Sequence, residues 1–208
     1  MRSVELIQYS CEEYDKIDKL MKNMQRLRIN DEINDTIIFV EHPEIVTIGP
    51  KAKKEKIQPP EDYPSRFVDR GGGLTWHGPG QLVVYPIIKW DLDDEVNTKI
   101  IISKLEEWII QSFSDLGIVG ARDDRMRGVW VNGKKVASIG LSFLKWVSRH
   151  GLSINYDTPK KRVESLEGCG LEAGTTSSLI ANNHITNRKE LEKALIKNIN
   201  SLNRKIKN

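Results

Sequence analysis

The sequence lacks the features that mark secreted and membrane proteins. It has only 2 cysteines in 208 residues, Cys11 and Cys169, which excludes a disulfide framework and makes a reducing compartment the expectation. No apolar run is long enough to span a membrane, and the first residues, Met1 to Glu5, form no apolar signal stretch. We therefore expect a cytoplasmic location and no membrane partner.

The sequence also has no large excess of positive or of negative charge. The 32 lysines and arginines nearly balance the 29 aspartates and glutamates, and a net charge of +3 is too small to indicate nucleic-acid binding. The 4 histidines and 2 cysteines show no metal-ligand spacing, so we expect no metal. With 38% hydrophobic residues, no repeat and no linker rich in serine, proline or glycine, the chain is predicted to form one domain over residues 1–208.

Strand-like and helix-like patterns are interspersed along the chain. Apolar and β-branched runs predict strands over residues 3–8, 36–40, 66–69, 81–87 and 150–155. Amphipathic periodicity predicts helices over residues 11–28, 94–116 and 189–202. The basic run Lys51 to Lys56 is assigned to a solvated loop, and the stripe of the longest helix to Ile102, Leu105, Ile109, Phe113 and Leu116. These patterns favour an α+β fold in which a mixed β-sheet is packed with helices.

A β-hairpin is predicted around Asn132-Gly133, the preferred residue pair for a two-residue type I′ turn. The turn pairs Val131 with Lys134 and places Lys135 one step further along the ladder, opposite Trp130. Lys134 then lies at the end of the ladder, where its side chain can reach water.

Strand alternation places Lys135 on the same face as Trp130, Ala137 and Ile139, where it would be partly buried. Burial lowers the pKa of an ammonium group and suits it to accept a proton. If the lysine stays charged beside a thiol, it lowers the pKa of the thiol instead. A lysine that extends from the base of the hairpin into water is the alternative.

The most unusual segment runs from Arg70 to Gln81 and is rich in glycine. Glycine lets a ligand approach the backbone closely, and exposed amides can hold a carbonyl oxygen or an oxyanion. No Gly-Lys-Ser/Thr sequence and no helix pattern follow the glycines, which excludes a P-loop and a dinucleotide fingerprint. We favour a ligand-binding loop over a plain connection between two strands.

Cys169 lies between Gly168 and Gly170, so its sulfur is sterically open. A free cysteine is more often a small buried apolar residue, and a reactive one needs an activating neighbour, for which Lys135 is the candidate. A thiol with a pKa of about 8.5 is only a few per cent thiolate at neutral pH. Lowering the thiol pKa by about two units, which takes about 2.7 kcal/mol, would make it mostly thiolate.

Four segments in consistent order resemble the octanoyltransferases of lipoate biosynthesis, which are related to the biotin and lipoate protein ligases. The segments are residues 70–81, 128–140, 150–155 and 169–170, and residues 41–49 extend the match. The most specific part is His77-Gly78-Pro79-Gly80-Gln81. The resemblance implies the catalytic-domain fold of those ligases. It also implies transfer of an octanoyl group from acyl carrier protein, through a cysteine thioester, to a lysine of an apo lipoyl domain.

By motif position, the resemblance implies that Cys169 carries the acyl group and that Lys135 tunes or deprotonates it. The substrate pocket would be formed by Arg70, Gly71, Gly72, Gly73, Leu74, Thr75, Trp76, His77, Ser138, Ile139, Gly140, His150, Gly151, Leu152 and Ser153. No cofactor is expected, because the acyl group arrives on the phosphopantetheine of acyl carrier protein. The expected partners are that carrier and the apo lipoyl domains of 2-oxoacid dehydrogenases and of glycine cleavage H protein.

Two positions depart from the family pattern: Trp76 stands where tyrosine is usual, and Gly168 where proline is usual. The nearest alternative is an ATP-dependent lipoate or biotin ligase on the same fold. Such ligases carry Gly-Ser/Asn-Ala shortly after the lysine, whereas Lys135 is followed by Val-Ala-Ser-Ile-Gly. A non-catalytic acyl-binding protein and a cysteine hydrolase are alternatives from other classes.

Overall fold

The structure is a computed structural model that describes residues 1–159, 161–166 and 173–207. The helices are α1 (Tyr14–Ile29), α2 (Pro50–Glu55), α3 (Thr98–Asp115) and α4 (Arg188–Lys197). The strands are β1 (Arg2–Cys11), β2 (Asp35–Glu41), β3 (Ile45–Ile48), β4 (Ser65–Phe67), β5 (Leu74–His77), β6 (Gln81–Ile87), β7 (Val129–Val131), β8 (Lys134–Leu144), β9 (Val147–Asn155) and β10 (Arg204–Ile206).

In the described part of the chain these strands form two sheets. The larger sheet has the order β10-β1-β2-β6-β9-β8-β7, and the smaller has the order β4-β3-β5. Strand β1 runs parallel to both β2 and β10, whereas β6, β9, β8 and β7 pair antiparallel. The sheets are therefore mixed, and with the four helices they confirm the predicted α+β fold.

Both faces of the larger sheet are buried under helices. In β2, Ile37 and Phe39 belong to the hydrophobic core that includes residues of α3 and α4. Their neighbours Ile38 and Val40 belong to a second core, beneath α1. Because side chains alternate between the two faces of a strand, a strand between two helical layers is apolar at consecutive positions. This explains why residues 36–40 are an unbroken run of buried residues.

The structure confirms the predicted strands and the three long helices, with shifted ends, and corrects four assignments. The basic run is not a loop: Pro50 at the first position begins α2, which extends to Glu55. A strand, β5, lies inside the glycine-rich segment, and the last predicted helix ends early and is followed by β10. Ile102 is only half-buried and faces a cavity, whereas Trp108 takes a place in the core stripe of α3.

A buried ionic cluster joins β2 and β10 to the segment before α3. Arg204, which is fully buried, donates to Asp35 at 2.6 Å and to both oxygens of Glu95 at 2.9 and 3.0 Å. Arg28 of α1 donates to the other oxygen of Asp35 at 2.7 Å. Buried carboxylates are tolerated only when they are paired in this way. The cluster therefore fixes the edge of the sheet farthest from the β7–β8 hairpin.

Candidate active site

A cavity of about 550 Å³ lies beside the glycine-rich segment. Strands β5, β6, β8 and β9 contribute its walls, and Tyr14 of α1 and Ile102 of α3 also reach it. All of the predicted pocket residues line this cavity: Arg70, Gly71, Gly72, Gly73, Leu74, Thr75, Trp76, His77, Ser138, Ile139, Gly140, His150, Gly151, Leu152 and Ser153. Segments that are up to 83 residues apart in sequence therefore meet at one site.

The glycine-rich loop is held against β8 by its backbone. The Gly71 amide donates to the Leu141 carbonyl at 2.9 Å. At Gly140 a Cβ atom would lie 2.9 Å from the Gly71 oxygen, so a side chain there would push the loop away from the strand. Beneath the loop, Arg70 is buried and its guanidinium donates to Thr47 and to the Gly73 carbonyl. The loop thus forms a fixed wall of the cavity.

The helix α2 lies directly behind this loop. The Lys51 amide donates to the Gly72 carbonyl at 3.2 Å, and the Gly49 amide donates to the Gly73 carbonyl at 2.9 Å. Lys51 lines the cavity, and Lys53 and Lys54 of the same helix are exposed. The basic residues of α2 therefore stand at the rim of the cavity.

The β7–β8 hairpin has the predicted turn and pairing. Asn132 and Gly133 have φ angles of 50° and 73°, as a type I′ turn requires. Trp130 pairs with Lys135, but the next pair is Val129 with Ala137, which leaves Val136 as the extra residue of a β-bulge.

The bulge corrects the predicted face of Lys135. The ammonium group of Lys135 donates to Ser138 Oγ at 3.0 Å, and both residues line the cavity. Ala137 lies instead in the hydrophobic core with Val136. The predicted burial of Lys135 is confirmed at 6% exposure, and Lys134 is exposed. The extra residue interrupts strict alternation, which is why Lys135 shares a side with Ser138 rather than with Ala137.

Cys169 lies outside the described residues, so its predicted proximity to Lys135 stays a prediction. The described residues nearest to it in sequence, Leu166 and Ala173, flank it on either side, and Leu166 lines the cavity. Further along the chain, the Lys135 amide donates to the Thr175 carbonyl at 2.9 Å. Thr176 also lines the cavity.

Four aromatic rings, of which only His77 was predicted to belong to the site, cluster beside the cavity, and three of them, Tyr14, His77 and Tyr85, line it. The rings of Tyr14, His42, His77 and Tyr85 have neighbouring centroids between 5.4 and 6.1 Å apart. Burial lowers the pKa of His42 to about 4 and lowers that of His77 well below its usual range. Burial also raises the pKa of Tyr14 and Tyr85. All four rings are therefore neutral at physiological pH.

His150 has an unusual backbone for a residue inside a strand. Its φ is 59°, in the left-handed region that non-glycine residues seldom adopt, and it is almost fully buried. Its Nε2 donates to Asp69 at 2.7 Å, and its Nδ1 lies 3.4 Å from the Tyr14 hydroxyl. Burial raises the pKa of Asp69, but the hydrogen bond from His150 and the charge of Arg149 outweigh it and lower that pKa. These contacts hold the imidazole against the cavity.

Of the two departures from the family pattern, Gly168 lies outside the described residues, and Trp76 is buried and lines the cavity. Its indole nitrogen donates to Glu44 at 2.8 Å, so its polar atom is satisfied by the protein. Among the described residues, no group of three or more histidine, cysteine, aspartate or glutamate side chains is arranged to hold a metal ion.

The fold places the chain in the class of catalytic domains found in lipoate and biotin protein ligases. It resembles a putative lipoate protein ligase from T. acidophilum with bound lipoic acid, with a TM-score of 0.70 at 15% identity over 100% of this chain and 88% of that chain. It also resembles a biotin protein ligase from Aquifex aeolicus, with a TM-score of 0.57 at 12% identity over 96% of this chain and 69% of that chain. Similarity at such low identity shows the fold alone.

Within that class the chain belongs to the lipoyl protein ligase A/B catalytic domain family, whose model matches residues 18–200. It is 35% identical over 185 residues to an octanoyltransferase of Syntrophobacter fumaroxidans, covering 86% of this chain and 81% of the relative. It is 38% identical over 173 residues to an octanoyltransferase of Rickettsia rickettsii, covering 80% of this chain and 83% of the relative. No described helix is long and apolar enough to cross a membrane.

Proposed function

We propose that the chain is an octanoyltransferase that moves an octanoyl group from acyl carrier protein to a lysine of an apo lipoyl domain. The observation that carries this proposal is the buried Lys135, whose ammonium group meets Ser138 in a cavity formed by all the predicted pocket residues. The identity to octanoyltransferases over most of the chain supports the choice of acyl group.

The cavity has walls that suit a saturated chain. Apolar side chains from three strands and the segment before Cys169 face it, including Leu74, Ile139, Leu152 and Leu166. Ser138 and Leu141 are three residues apart on β8, which is about 10 Å along a strand. This matches the extended length of an eight-carbon chain that reacts near Ser138 and Lys135.

The proposed reaction has two displacement steps. The Cys169 thiolate attacks the thioester carbonyl, a new carbon–sulfur bond forms, and the carrier leaves as a thiolate that takes up a proton. The lysine amine of the acceptor then attacks the acyl-cysteine, loses a proton and forms the amide, and Cys169 leaves as a thiolate. Lys135 accepts and returns these protons or stabilises the thiolate by its charge. Backbone amides in residues 136–140 or near Gly170 are the candidate donors to the oxyanion, because the Lys135 amide already donates to the Thr175 carbonyl. A thioester is reactive enough that ATP is not needed.

We propose that the carrier docks on a basic rim formed by Lys51, Lys53, Lys54 and Lys56. Acyl carrier proteins are acidic, and charge complementarity accelerates and orients such encounters. The hydrogen bonds between α2 and the glycine-rich loop support this position, because they keep the rim beside the cavity.

The experiment is intact-mass spectrometry after incubation with octanoyl carrier protein, in the absence of ATP. We expect the mass to rise by one octanoyl group and peptide mapping to place it on Cys169. The acyl-enzyme should then pass the group to an apo lipoyl domain. The matched control is Cys11→Ala, which should keep transfer within a few-fold because Cys11 is exposed on β1.

Three outcomes would contradict the proposal. An adduct on Cys11, or transfer that survives Cys169→Ala, would refute the mechanism. Strict dependence on ATP would favour a ligase. Release of free octanoate without transfer to the acceptor would favour a hydrolase.

A further inference from the structure

Beside the cavity lie histidine and tyrosine side chains whose proton positions can be assigned from their hydrogen-bond partners. The Nδ1 of His42 lies 2.7 Å from the Glu12 carbonyl, which can only accept, so this nitrogen carries the proton. Because His42 is neutral, its Nε2 must be an acceptor. The Tyr85 hydroxyl, 2.9 Å away, therefore donates to it. The proton of Tyr85 is thus directed away from the cavity.

The same reasoning assigns His77. The amide nitrogen of Gln81 donates to the Trp76 carbonyl and to Asn155, both at 2.8 Å, so its oxygen faces His77 Nδ1 at 2.7 Å and accepts. The Nε2 of neutral His77 therefore bears a lone pair. Among the described residues, its only hydrogen-bond neighbour is the Thr47 hydroxyl at 3.4 Å, which lies closer, at 3.2 Å, to the Thr75 carbonyl.

The proton of the Tyr14 hydroxyl can be assigned in the same way. Because His150 donates from Nε2 to Asp69, its Nδ1 accepts from the Tyr14 hydroxyl. Three residues that line the cavity thus each carry an atom that keeps a lone pair after its proton is assigned: the hydroxyl oxygens of Tyr14 and Tyr85 and the Nε2 of His77. We call these three atoms the acceptor group.

The acceptor group lies where the far end of a bound chain would reach. Leu141, three residues beyond Ser138 on β8, pairs with His150 on β9. The Tyr14 hydroxyl is in turn adjacent to His150. A chain that reacts near Lys135 and extends along β8 therefore ends beside the acceptor group. The terminal methyl group of an octanoyl chain cannot donate a hydrogen bond to any of these lone pairs. The site is therefore polar enough to hold an ordered water next to that methyl group.

We propose that this cavity also accepts acyl chains that carry a hydroxyl group at the far end, namely ω-hydroxyacyl groups delivered as thioesters. The proposal rests on the proposed octanoyl transfer for the direction in which the chain lies. The terminal hydroxyl replaces the ordered water and donates its one proton to one member of the acceptor group. The transfer chemistry is unchanged, because the hydroxyl takes no part in bond making or breaking.

The test compares kcat/KM for carrier protein loaded with octanoyl and with ω-hydroxyoctanoyl. In a purely apolar cavity, a buried hydroxyl without a partner would reduce kcat/KM by roughly tenfold or more. We expect the wild-type enzyme to use the two donors within about threefold. Discrimination of tenfold or more against the hydroxylated donor would overturn the proposal.

Substitutions test whether the acceptor group is the reason that the enzyme uses the hydroxylated donor. Because the terminal hydroxyl donates a single hydrogen bond, at least one of Tyr14→Phe and Tyr85→Phe should lower the ratio of kcat/KM for the hydroxylated donor to that for the plain donor by several-fold. The matched control is Tyr63→Phe. The Tyr63 hydroxyl donates to the Arg162 carbonyl away from the cavity, so its removal should leave the ratio unchanged. An unchanged ratio in both cavity variants would contradict the assignment.

Binding of the free acids separates this proposal from the function on which it rests. Calorimetry with octanoate and ω-hydroxyoctanoate should give dissociation constants within about threefold of each other, whether or not transfer occurs. If octanoyl transfer is absent but the hydroxylated acid binds equally well, the proposed function fails and the acceptor group stands. If octanoyl transfer occurs but the hydroxylated acid binds at least tenfold more weakly, the acceptor group fails alone.

Discussion

The proposed chemistry depends on the side chain of Lys135. We expect Lys135→Ala to raise the pH at which iodoacetamide alkylates Cys169 and to reduce transfer by orders of magnitude. The physical reason is that an ammonium group in a poorly solvated site stabilises a nearby thiolate. Lys134→Ala is the matched control, because Lys134 is exposed and donates to the Gly174 carbonyl. An unchanged alkylation profile in Lys135→Ala would mean that another group activates the thiol.

The buried histidines predict a loss of stability in mild acid. His42 has a pKa of about 4 in the folded protein, whereas an unfolded histidine has a pKa of about 6.5. Between these values the unfolded chain binds a proton that the folded chain does not, so stability falls as the pH falls from about 6.5 to about 4. Above pH 6.5 the residue is neutral in both states and contributes no pH dependence.

The expected size of this effect is about 2 kcal/mol for His42 between pH 7 and pH 5. His77 and His150 are shifted in the same direction and add to the slope. The measurement is the free energy of urea unfolding at both pH values. His42→Gln should be less stable at pH 7 but should lose less on acidification, and an identical loss would contradict the assignment.

The residues of the site were only partly predictable from the sequence. The glycine-rich loop, His77 and Lys135 could be found because their motif is specific and contiguous. Tyr14, His42 and Tyr85 come from three separate elements, and only the packing of α1 on β6 and β9 brings them together. A lone histidine or tyrosine carries no local signal of such a cluster.

At the scale of elements, the contact between β8 and the glycine-rich loop sets the shape of the cavity. Gly140→Ala would place a methyl group 2.9 Å from the Gly71 oxygen and 3.2 Å from Arg70 Cδ. We expect a loss of transfer of at least tenfold and a destabilisation of about 1–3 kcal/mol, as for other overpacked sites. Leu144→Ala, at the exposed end of the same strand, is the control for transfer. Retention of full transfer in Gly140→Ala would show that the loop can move at little cost.

The position of α2 predicts how the enzyme responds to salt. Lys51 lines the cavity, so the test reverses only Lys53 and Lys54 to glutamate. We expect the KM for the carrier to rise several-fold and its dependence on ionic strength to flatten, because rim charges act mainly on association. Reversal of Lys189 and Lys193, two exposed lysines near the start of α4, should change neither quantity. Equal effects of the two double variants would indicate a general charge effect and not docking on α2.

Four elements were not predicted, for identifiable reasons. α2 is only six residues long, and its run of lysines obscured the Gly-Pro start signal. Strands β3, β5 and β10 are four, four and three residues long, too short for periodicity to show. The bulge at Val136 has no glycine to mark it, so the sequence wrongly placed Ala137 on the face of Lys135, although the pairing of Lys135 with Trp130 and its burial were right.

For the molecule as a whole, the cluster around Arg204 should be a large determinant of stability. Arg204→Met would leave Asp35 and Glu95 buried without their shared guanidinium group. Removing one partner of such a cluster typically costs about 3–5 kcal/mol, so we expect a loss of that size in guanidinium unfolding at pH 7. Lys207→Ala breaks an exposed pair with Glu5 and should change stability by less than about 1 kcal/mol. Similar losses in the two variants would contradict the assignment.

The pairing of β10 with β1 also imposes an order on synthesis. A ribosome makes β1, Asp35 and Glu95 early, and the arginine that neutralises both carboxylates only after α4 has been translated. Until then the nascent chain has an open strand edge along Arg2 to Val4 and two acidic groups that resist burial. The larger sheet can therefore close on this side only when Arg204 has left the exit tunnel. The last step of folding on this side thus waits for Arg204, although most of the core residues are synthesised before it.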